Sequence, residues 1–293
     1  MLAAQLLVVH WNADPIIFHI GSFGVRWYSL GFLLAFLLGY YIVSRMFKRE
    51  NVDSKYLESL LIYMFVAVLV GARLGHCLFY EPGYYLTKDH WIEIILPFGR
   101  TSTGWRFTGY EGLASHGAAI AIIVAMWLYF RKYRMNPVWI VDRMVIVIAL
   151  GGAFIRLGNL FNSEIYGVET TLPWGFIFER NNETVPKHPT QLYESLSYLL
   201  IFIVSYVVYL RKDGKLRPGV LFGWWLIALF GVRFLIEFVK EEQVAFEKGM
   251  FLDMGQWLSL PFILLGVVMC VMGYKEKFNK HVILKKEEKI IVK

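Results

Sequence analysis

The chain alternates long apolar stretches with short polar segments, and seven of the apolar stretches are long enough to cross a lipid bilayer. A transmembrane helix needs about 20 consecutive residues that are mostly apolar. The pattern predicts seven such helices, over residues 23–45, 57–79, 113–131, 138–160, 191–210, 219–239 and 254–274. We therefore predict an all-α polytopic membrane protein with seven transmembrane helices.

The segments between the predicted helices indicate a single domain. No internal repeat, low-complexity run or long polar linker interrupts the sequence. We expect one integral-membrane domain over residues 1–293, which ends in a short basic tail at 275–293. Two longer loops, 80–112 and 161–190, are rich in Gly, Pro, Trp and Tyr. We expect both loops to be ordered and to pack against the membrane surface.

The positions of the basic residues predict the orientation of the helices. The segments 45–55, 131–137, 211–217 and 275–293 together contain 18 of the 30 lysines and arginines. Cytoplasmic segments of membrane proteins carry an excess of these residues. With seven crossings, this distribution places the N-terminus and both longer loops outside and the C-terminus in the cytoplasm.

The composition agrees with a membrane protein and excludes several other classes. Apolar residues make up 57% of the 293 residues and charged residues 18%, whereas soluble domains have about 45–50% and about 25%. Disordered proteins, coiled coils and nucleic-acid-binding modules are thereby excluded. Cys77 and Cys270 each lie in an apolar run, which argues against a disulfide framework and a cysteine-based zinc site.

Neither a metal nor a cofactor is expected. The seven histidines are scattered, and no histidine or carboxylate pair has the spacing of metal ligands. A phosphate-binding glycine loop is also missing from the sequence, which argues against a nucleotide cofactor.

Every predicted helix carries polar residues in the half nearer to the predicted outer side. Charged residues at membrane depth are costly, and they usually face the interior of a helix bundle or a wet cavity. We therefore expect a shared polar cavity that opens toward the outer leaflet. In chain order the residues are Arg26, Tyr28, Arg73, His76, His116, Arg156, Asn159, Gln191, Glu194, Arg233, Glu237 and Gln256.

Some polar residues also have a purely structural interpretation. Arg26 and Lys240 lie at interface depth, where long basic side chains extend toward lipid headgroups. Asp142 and Arg143 are adjacent at the predicted cytoplasmic end of the fourth helix, and we interpret them as a structural pair.

For two carboxylates and one histidine, a structural role and a role in the site both stay open. Glu194 and Glu237 either neutralise Arg73 and Arg233 or belong to a site. An isolated membrane histidine such as His116 is commonly a hydrogen-bonding group between helices.

The segment 155–167, Ile-Arg-Leu-Gly-Asn-Leu-Phe-Asn-Ser-Glu-Ile-Tyr-Gly, has the most unusual pattern in the chain. Arg156, Asn159, Asn162 and Glu164 follow one another where an apolar helix runs out into a loop. This density of polar groups indicates binding of an anionic or highly polar ligand. Together with His116-Gly117 on the preceding helix, the segment resembles the prolipoprotein diacylglyceryl transferases of bacteria.

The resemblance extends over nearly the whole chain. Its motifs are Asp14-Pro15, Arg26-Trp27-Tyr28, Gly71-Ala-Arg-Leu-Gly75, Ser115-His116-Gly117, His188-Pro-Thr-Gln-Leu-Tyr-Glu194, Arg233-Phe-Leu-Ile-Glu-Phe238 and Met254-Gly-Gln-Trp-Leu-Ser259. The sequence departs from the family pattern at Ile155, Ala118 and Ser163, where glycine is usual. It also departs at Leu229, where the family has tyrosine, and at Lys240, where it has arginine.

The resemblance implies a specific reaction. Members of this family transfer the diacylglyceryl group of phosphatidylglycerol to the thiol of the lipobox cysteine in a preprolipoprotein, forming a thioether and releasing glycerol phosphate. It implies catalytic roles for His116, Arg156 and Arg233. The implied substrate-binding residues are Arg156, Asn159, Glu164, Tyr28, Gly167, Arg73, Asn162 and Lys240.

The chemistry of this reaction suits those residue types. Negative charge builds on the departing phosphate, and the planar guanidinium groups of Arg156 and Arg233 can grip phosphate with two hydrogen bonds. The thiol must lose its proton, and histidine is the side chain that titrates near neutral pH, so His116 is the candidate base. Alternatively, the arginines alone promote thiolate formation and His116 only supports the site.

The resemblance also implies partners and a location. We expect phosphatidylglycerol, the preprolipoprotein signal peptide and membrane lipids as partners, with no nucleic acid and a monomeric chain. The expected location is the bacterial cytoplasmic membrane, with the active site facing the outer leaflet. The alternative function is a transporter or channel with an outward anion-binding cavity, but the sequence lacks an inverted repeat. A purely structural role for the protein would not explain the four arginines within the predicted helices, which are Arg73, Arg143, Arg156 and Arg233.

Overall fold

The computed structural model describes residues 8–21, 23–87, 90–96, 98–101, 104–107, 114–241 and 251–278, and these residues are mostly helical. Within that part of the chain, seven helices have 18 residues or more, and each overlaps one predicted span. They are α1 (Trp27–Arg49), α2 (Ser54–Gly75), α3 (Ser115–Tyr133), α4 (Pro137–Phe161), α5 (Thr190–Arg211), α6 (Val220–Glu237) and α7 (Met254–Tyr274).

Six of these helices are long and apolar enough to cross a membrane, which makes the chain a multi-pass membrane protein. Helix α3 overlaps the third predicted span but is not among the six. Its 19 residues begin with Ser115-His116 and end with Arg131-Lys132-Tyr133, so its apolar stretch is short. The seventh crossing and the orientation of the termini therefore stay predictions.

The boundaries of two predicted spans were wrong. Residues 23–26 were assigned to the first helix, but Phe23–Arg26 is a strand, and the helix continues through Lys48 and Arg49. Basic side chains at a helix end are compatible with helical structure and interact favourably with its dipole. The sixth helix ends at Glu237 and not at residue 239, because Lys240 pairs through its backbone with Gly167.

The all-α prediction missed three small two-stranded sheets. They are β1 (Val9–Trp11) with β6 (Phe176–Phe178), parallel; β2 (Ile16–Ile20) with β3 (Phe23–Arg26), antiparallel; and β4 (Phe98–Thr101) with β5 (Gly104–Phe107), antiparallel. Strands of three to five residues are too short to show a clear alternating pattern. Sheet β1–β6 ties the N-terminal segment to loop 161–190, as Val9 is opposite Phe176 and Trp11 Nε1 donates to Leu160 O at 2.9 Å.

The chain divides into two compact units. Among the described residues, the first unit comprises those up to Glu50 and those between Pro137 and 278, and the second comprises those between Asn51 and Asn136. The core of the first unit is built by α4, α5 and α6 through Val145, Ala149, Ala153, Tyr198, Ile201, Trp225 and Leu226. A single integral-membrane domain over 1–293 stays a prediction.

Within the second unit, α2 and α3 approach each other through glycines. A Cβ at Gly117 would collide with Gly71 O and would lie 2.7 Å from Gly75 Cα. Small residues allow helix backbones to pack this closely in membranes. The contact fixes the first turn of α3, where His116 is located.

Asp142 and Arg143 are structural residues, but they do not share a partner. Asp142 is fully buried and accepts hydrogen bonds from the backbone N–H groups of Gly219 and Phe222, both at 2.8 Å, so it caps the start of α6. Arg143 donates to both carboxylate oxygens of Glu50, at 3.0 and 2.7 Å.

Candidate functional site

The polar end of α4 forms the centre of the candidate site. Arg156 and Asn159 are three residues apart and therefore lie on one face of the helix. Arg156 Nη1 donates to Asn159 Oδ1 at 3.3 Å, and Arg156 Nε lies 2.6 Å from Glu194 Oε2 on α5. The guanidinium is thus held by an amide on its own helix and a carboxylate on a neighbouring helix.

Glu194 is completely buried between two cations. Its Oε2 contacts Arg156, and its Oε1 lies 3.6 Å from Lys240 Nζ. Lys240 Nζ also lies 3.3 Å from Oε2 of Glu237. The prediction that these carboxylates neutralise Arg73 and Arg233 is therefore wrong for Glu194, whose partners are Arg156 and Lys240.

Lys240 does not extend toward headgroups. Its side chain is 4% exposed, and its ammonium is enclosed by the carboxylates of Glu194 and Glu237. Its backbone pairs with Gly167, which brings the chain after α6 back against loop 161–190. The interfacial interpretation of Lys240 was wrong because the sequence does not show which carboxylates fold beside it. Arg26, the other residue assigned to the interface, is exposed.

Arg233 forms no ion pair among the residues that the structure describes. It is half-buried on α6, and no carboxylate lies within 4.0 Å of it in the described ranges 114–241 and 251–278. Glu237 is one helical turn away but contacts Lys240 instead. A fixed cation without a counter-ion is suited to binding an anion.

Two tyrosines border the arginines. Tyr198, a residue that the sequence analysis missed, is buried one turn after Glu194 and interacts electrostatically with Glu194, Arg156 and Arg233. Its polarity and its spacing from Glu194 were the available signal, because residues four apart share one helix face. Tyr28 is half-buried on α1 and interacts with Glu164 and Arg156.

The side chain of Glu164 is fixed by the two asparagines of the motif. Asn159 Nδ2 donates to Glu164 Oε1 at 2.7 Å, and Asn162 Nδ2 donates to the same oxygen at 3.2 Å. Arg156, Asn159 and Glu164 therefore form a continuous series of contacts. Glu164 is exposed, so the series of contacts is accessible to a ligand at its Glu164 end.

The turn after α4 has a strained backbone. Ser163 has φ +55° and Ile165 has φ +62°, and this left-handed region is rare for a β-branched residue. Three consecutive carbonyls hold the turn in place, because each accepts a side-chain hydrogen bond. The bonds are Asn181 Nδ2 to Ser163 O at 2.7 Å, Gln191 Nε2 to Glu164 O at 2.7 Å, and Thr190 Oγ1 to Ile165 O at 2.9 Å. Strain of this kind tends to concentrate at functional sites.

Several buried oxygens around this turn lack a hydrogen-bond partner among the described residues. They are Asn162 Oδ1, Ser163 Oγ, Gln191 Oε1 and both carboxylate oxygens of Glu194. The contacts of Glu194 with its two cations satisfy its charge, although their geometry is not that of hydrogen bonds. Buried acceptors are normally paired, so the oxygens of Asn162, Ser163 and Gln191 are suited to a ligand that donates hydrogen bonds.

Gly167 is required by the packing of the chain on itself. A Cβ there would collide with Val239 O and would lie 2.7 Å from His188 Cβ. Gly167 N donates to His188 O at 2.8 Å.

Burial lowers the pKa of the His188 imidazole below its ordinary value. Desolvation opposes the charge of Lys187, but the carboxylates of Glu241 and Glu183 outweigh it and raise the pKa of Lys187.

The remaining predicted site residues lie in the second unit. His116 is exposed in the first turn of α3. Arg73 is buried, donates to Glu93 O at 2.5 Å and lies over the ring of Tyr85, with 4.8 Å between Cζ and the ring centroid. The structure thus places Arg73 in structural contacts of its own unit.

A polar cavity of about 350 Å³ borders the strained turn. It is lined by Asn162, Ser163, Glu164, Ile165, Tyr166, Asn181 and Glu241. In the described part of the chain, no group of three or more His, Cys, Asp or Glu residues is arranged to hold a metal ion.

Comparisons with known proteins find similar sequences in one family. The family model described as prolipoprotein diacylglyceryl transferase matches residues 15–272. The phosphatidylglycerol–prolipoprotein diacylglyceryl transferase of Bacteroides fragilis is 44% identical over 276 residues, covering 94% of this chain and 99% of the relative. The relative of the same name from Tolumonas auensis is 43% identical over 271 residues, with 92% and 99% covered. That from Chloroherpeton thalassium is 39% identical over 269 residues, with 92% and 95% covered.

Proposed function

Since this chain belongs to the prolipoprotein diacylglyceryl transferase family, we propose that it transfers the diacylglyceryl group of phosphatidylglycerol to a lipobox cysteine. The reaction would be the first step of lipoprotein maturation. The cysteine sulfur forms a bond to the glycerol carbon, the carbon–oxygen bond to phosphate breaks, and its electron pair leaves with glycerol phosphate. Family membership supports this transferase function over the transporter interpretation.

The observation that carries the proposal is that, of two arginines in the first unit, one is held by a buried carboxylate and the other forms no ion pair among the described residues. Glu194 holds Arg156 from one side at 2.6 Å, while Arg233 has no counter-ion among the described residues. Negative charge develops on the departing phosphate, and preorganised cations stabilise such charge. In this account Arg156 is an oriented phosphate clamp, and Arg233 supplies the charge that phosphate neutralises.

The turn at 162–165 provides the complement of the lipid headgroup. The headgroup glycerol of phosphatidylglycerol carries two hydroxyls that can donate hydrogen bonds. The oxygens Asn162 Oδ1 and Gln191 Oε1, which lack a hydrogen-bond partner among the described residues, are the corresponding acceptors. A site built to pair hydroxyl groups discriminates strongly against a ligand that lacks them, because its buried acceptors would stay unpaired. Tyr28 interacts electrostatically with Glu164 and Arg156, and we assign it to the same region of the site.

His116 is the proposed acceptor of the thiol proton. It is exposed at the start of α3, where a substrate peptide can reach it. A histidine base is typically worth about 10²–10⁴-fold in rate. Among the other proposed substrate-binding residues, Asn159 and Glu164 orient the clamp, Lys240 holds Glu194 in place, and Gly167 keeps the loop tightly packed. Arg73 would act through the fold of its own unit.

The proposed location is the bacterial cytoplasmic membrane, with a monomeric chain, seven crossings and an active site that faces the outer leaflet. The six candidate spans support a membrane location, and the basic-residue distribution supports the orientation. The N-terminus and the loops 80–112 and 161–190 would lie outside, and the tail 275–293 in the cytoplasm.

A transfer assay tests the function. The full-length protein, purified in detergent, would be incubated with dioleoyl phosphatidylglycerol and a lipobox peptide, and the products analysed by mass spectrometry. We expect the peptide cysteine to gain one diacylglyceryl group and glycerol phosphate to appear in equal amount. A peptide with serine at that position should stay unmodified. An unmodified cysteine peptide, with folded protein present, would refute the proposal.

A labelling experiment tests the orientation. Single cysteines would be introduced at the exposed positions Glu169 and Lys277, in a chain whose Cys77 and Cys270 are replaced by alanine. A membrane-impermeant thiol reagent added to intact cells should label position 169 and not position 277. Equal labelling at both positions would contradict the proposed topology.

A further inference from the structure

A cavity of about 440 Å³ lies between the ends of α1 and α5 in the first unit, and the proposed reaction does not use it. Its position is at the opposite end of α5 from Glu194. The distribution of the basic residues predicts that this end of both helices lies at the cytoplasmic side. The cavity is lined by Arg45, Met46, Lys48, Arg49, Tyr206, Tyr209 and Leu210.

The cavity carries an excess of positive charge. Arg49 Nε donates to Asp213 Oδ1 at 2.7 Å, so one of its three cations is neutralised. Arg45 and Lys48 are exposed and have no carboxylate within 4.0 Å in the described ranges. Glu50 is also close, but its carboxylate is bound by Arg143 at 2.7 Å. Two cations at the mouth of the cavity are therefore available to an anion.

The floor of the cavity is rigid. Tyr209 is buried, and its hydroxyl donates to Glu50 Oε1 at 2.8 Å. The ring of Tyr206 is nearly parallel to it, with an interplanar angle of 5° and 6.4 Å between centroids. Met46 is buried in the same cluster. The cavity is thus formed without a ligand, which lowers the entropic cost of binding one.

An apolar surface continues from the basic end of the cavity along α1. Leu37, Tyr41 and Arg45 are four residues apart, so they share one face of the helix. Leu37 is 58% exposed and Tyr41 is 59% exposed. A free phosphate would contact the basic end alone, whereas a phospholipid would place its phosphate there and its acyl chains along the apolar face.

We propose that this cavity binds the headgroup phosphate of an anionic phospholipid, as a site separate from the transfer site. Basic pockets between membrane helices at the cytoplasmic side recognise such headgroups through charge. Arg45 and Lys48 bind the phosphate, and the rings of Tyr206 and Tyr209 form the wall behind it. The site depends on α1 and α5 crossing the membrane and is independent of the transfer reaction.

Lipid binding to charge-neutralised variants tests this site. Dioleoyl phosphatidic acid would be titrated into purified full-length protein, and the bound lipids counted by native mass spectrometry. Each basic residue near a lipid surface contributes roughly fivefold in affinity, so Arg45→Gln/Lys48→Gln should weaken one lipid about 25-fold. The matched control Arg131→Gln/Lys132→Gln removes two exposed charges at the end of α3 and should bind all lipids as wild type does.

Two further measurements separate this site from a non-specific effect. The charge-retaining variant Arg45→Lys/Lys48→Arg should restore binding, which shows that the loss does not arise from misfolding. Glycerol 3-phosphate at millimolar concentration should fail to displace the lipid, because it lacks the acyl chains. The proposal is overturned if the first variant binds every lipid normally, if the control loses as much affinity, if the charge-retaining variant fails to bind, or if glycerol 3-phosphate displaces the lipid.

Discussion

Arg156 Nε lies 2.6 Å from Oε2 of Glu194, and the carboxylate that it contacts has no exposed surface. A buried carboxylate this close to one edge of a guanidinium restricts its rotation. The opposite edge is bordered by Asn159, which receives a hydrogen bond from Nη1. Glu194 is therefore a positioning residue for Arg156, and it acts through that arginine.

Replacing Glu194 tests this positioning role. Glu194→Gln keeps the shape of the side chain but removes the charge that orients Arg156, and misplacement of a catalytic group can cost about 100-fold in rate. We expect kcat to fall by about that factor while KM for phosphatidylglycerol changes less. Breaking a buried pair should also cost about 3 kcal/mol of stability. Glu58→Gln, at an exposed position of α2, is the matched control. An unchanged kcat would assign Glu194 a purely structural role.

Neutralising the two arginines separates activity from stability. Arg156→Gln leaves Glu194 buried without its closest cation, and removal of one partner of a buried pair typically costs about 3–5 kcal/mol. Arg233→Gln leaves no carboxylate without its cation, because no carboxylate lies within 4.0 Å of Arg233 in the described residues. Both variants should lose about 10²–10³-fold in transfer rate. Thermal unfolding in detergent should show a loss of stability for Arg156→Gln alone, and an equal loss for both would contradict the unpaired state of Arg233.

The role of His116 can be tested with two substitutions at one position. His116→Ala and His116→Gln should both lower transfer by about 10²–10⁴-fold, because neither side chain accepts the thiol proton. His281→Ala, in the predicted cytoplasmic tail and outside the described residues, should leave the rate unchanged. A glutamine variant with near-normal turnover would show that position 116 supplies a hydrogen bond and not a base.

The pKa of His188 predicts a dependence of stability on pH. The folded protein lowers this pKa by burial, whereas the unfolded chain titrates with an ordinary value of about 6.5. The unfolded state therefore binds more protons, so stability should fall as the pH drops below about 6.5. His188→Gln should show a smaller difference in unfolding temperature between pH 7.5 and pH 5.5. A difference as large as in wild type would assign the effect to other groups.

The sequence predicted the elements of the fold that depend on local pattern. Seven stretches of about 20 apolar residues correspond to the seven long helices, because burial in lipid requires that length. The chain of contacts from Arg156 through Asn159 to Glu164 was also predictable, since residues a few positions apart on one helix end lie close together. The short strands before α1 were missed because three to five residues carry no distinct pattern.

Contacts between distant segments were not predictable in this way. The pairing of Glu194 with Arg156 and Lys240, in place of Arg73 and Arg233, depends on which faces α4, α5 and α6 turn toward one another. Helical spacing gives the face of each residue but not the neighbour of that face. For the same reason Tyr198 was not recognised as a neighbour of both arginines.

The central claim is that the guanidinium of Arg156 grips the phosphate of the lipid with two hydrogen bonds. Arg156→Lys keeps the charge but replaces the planar fork by one compact ammonium, which cannot form both bonds. Arg211→Lys, at the exposed end of α5, is the matched control. Arg143 is unsuitable as a control because it is buried against Glu50.

The decisive measurement is the rate of diacylglyceryl transfer by Arg156→Lys to a lipobox peptide at saturating phosphatidylglycerol, beside wild type and Arg211→Lys. We predict that Arg156→Lys is slower by about 10²–10³-fold, that its lipid binding falls by a smaller factor, and that Arg211→Lys matches wild type. A rate for Arg156→Lys within a fewfold of wild type would contradict the account, and the phosphate clamp would then have to be assigned to Arg233.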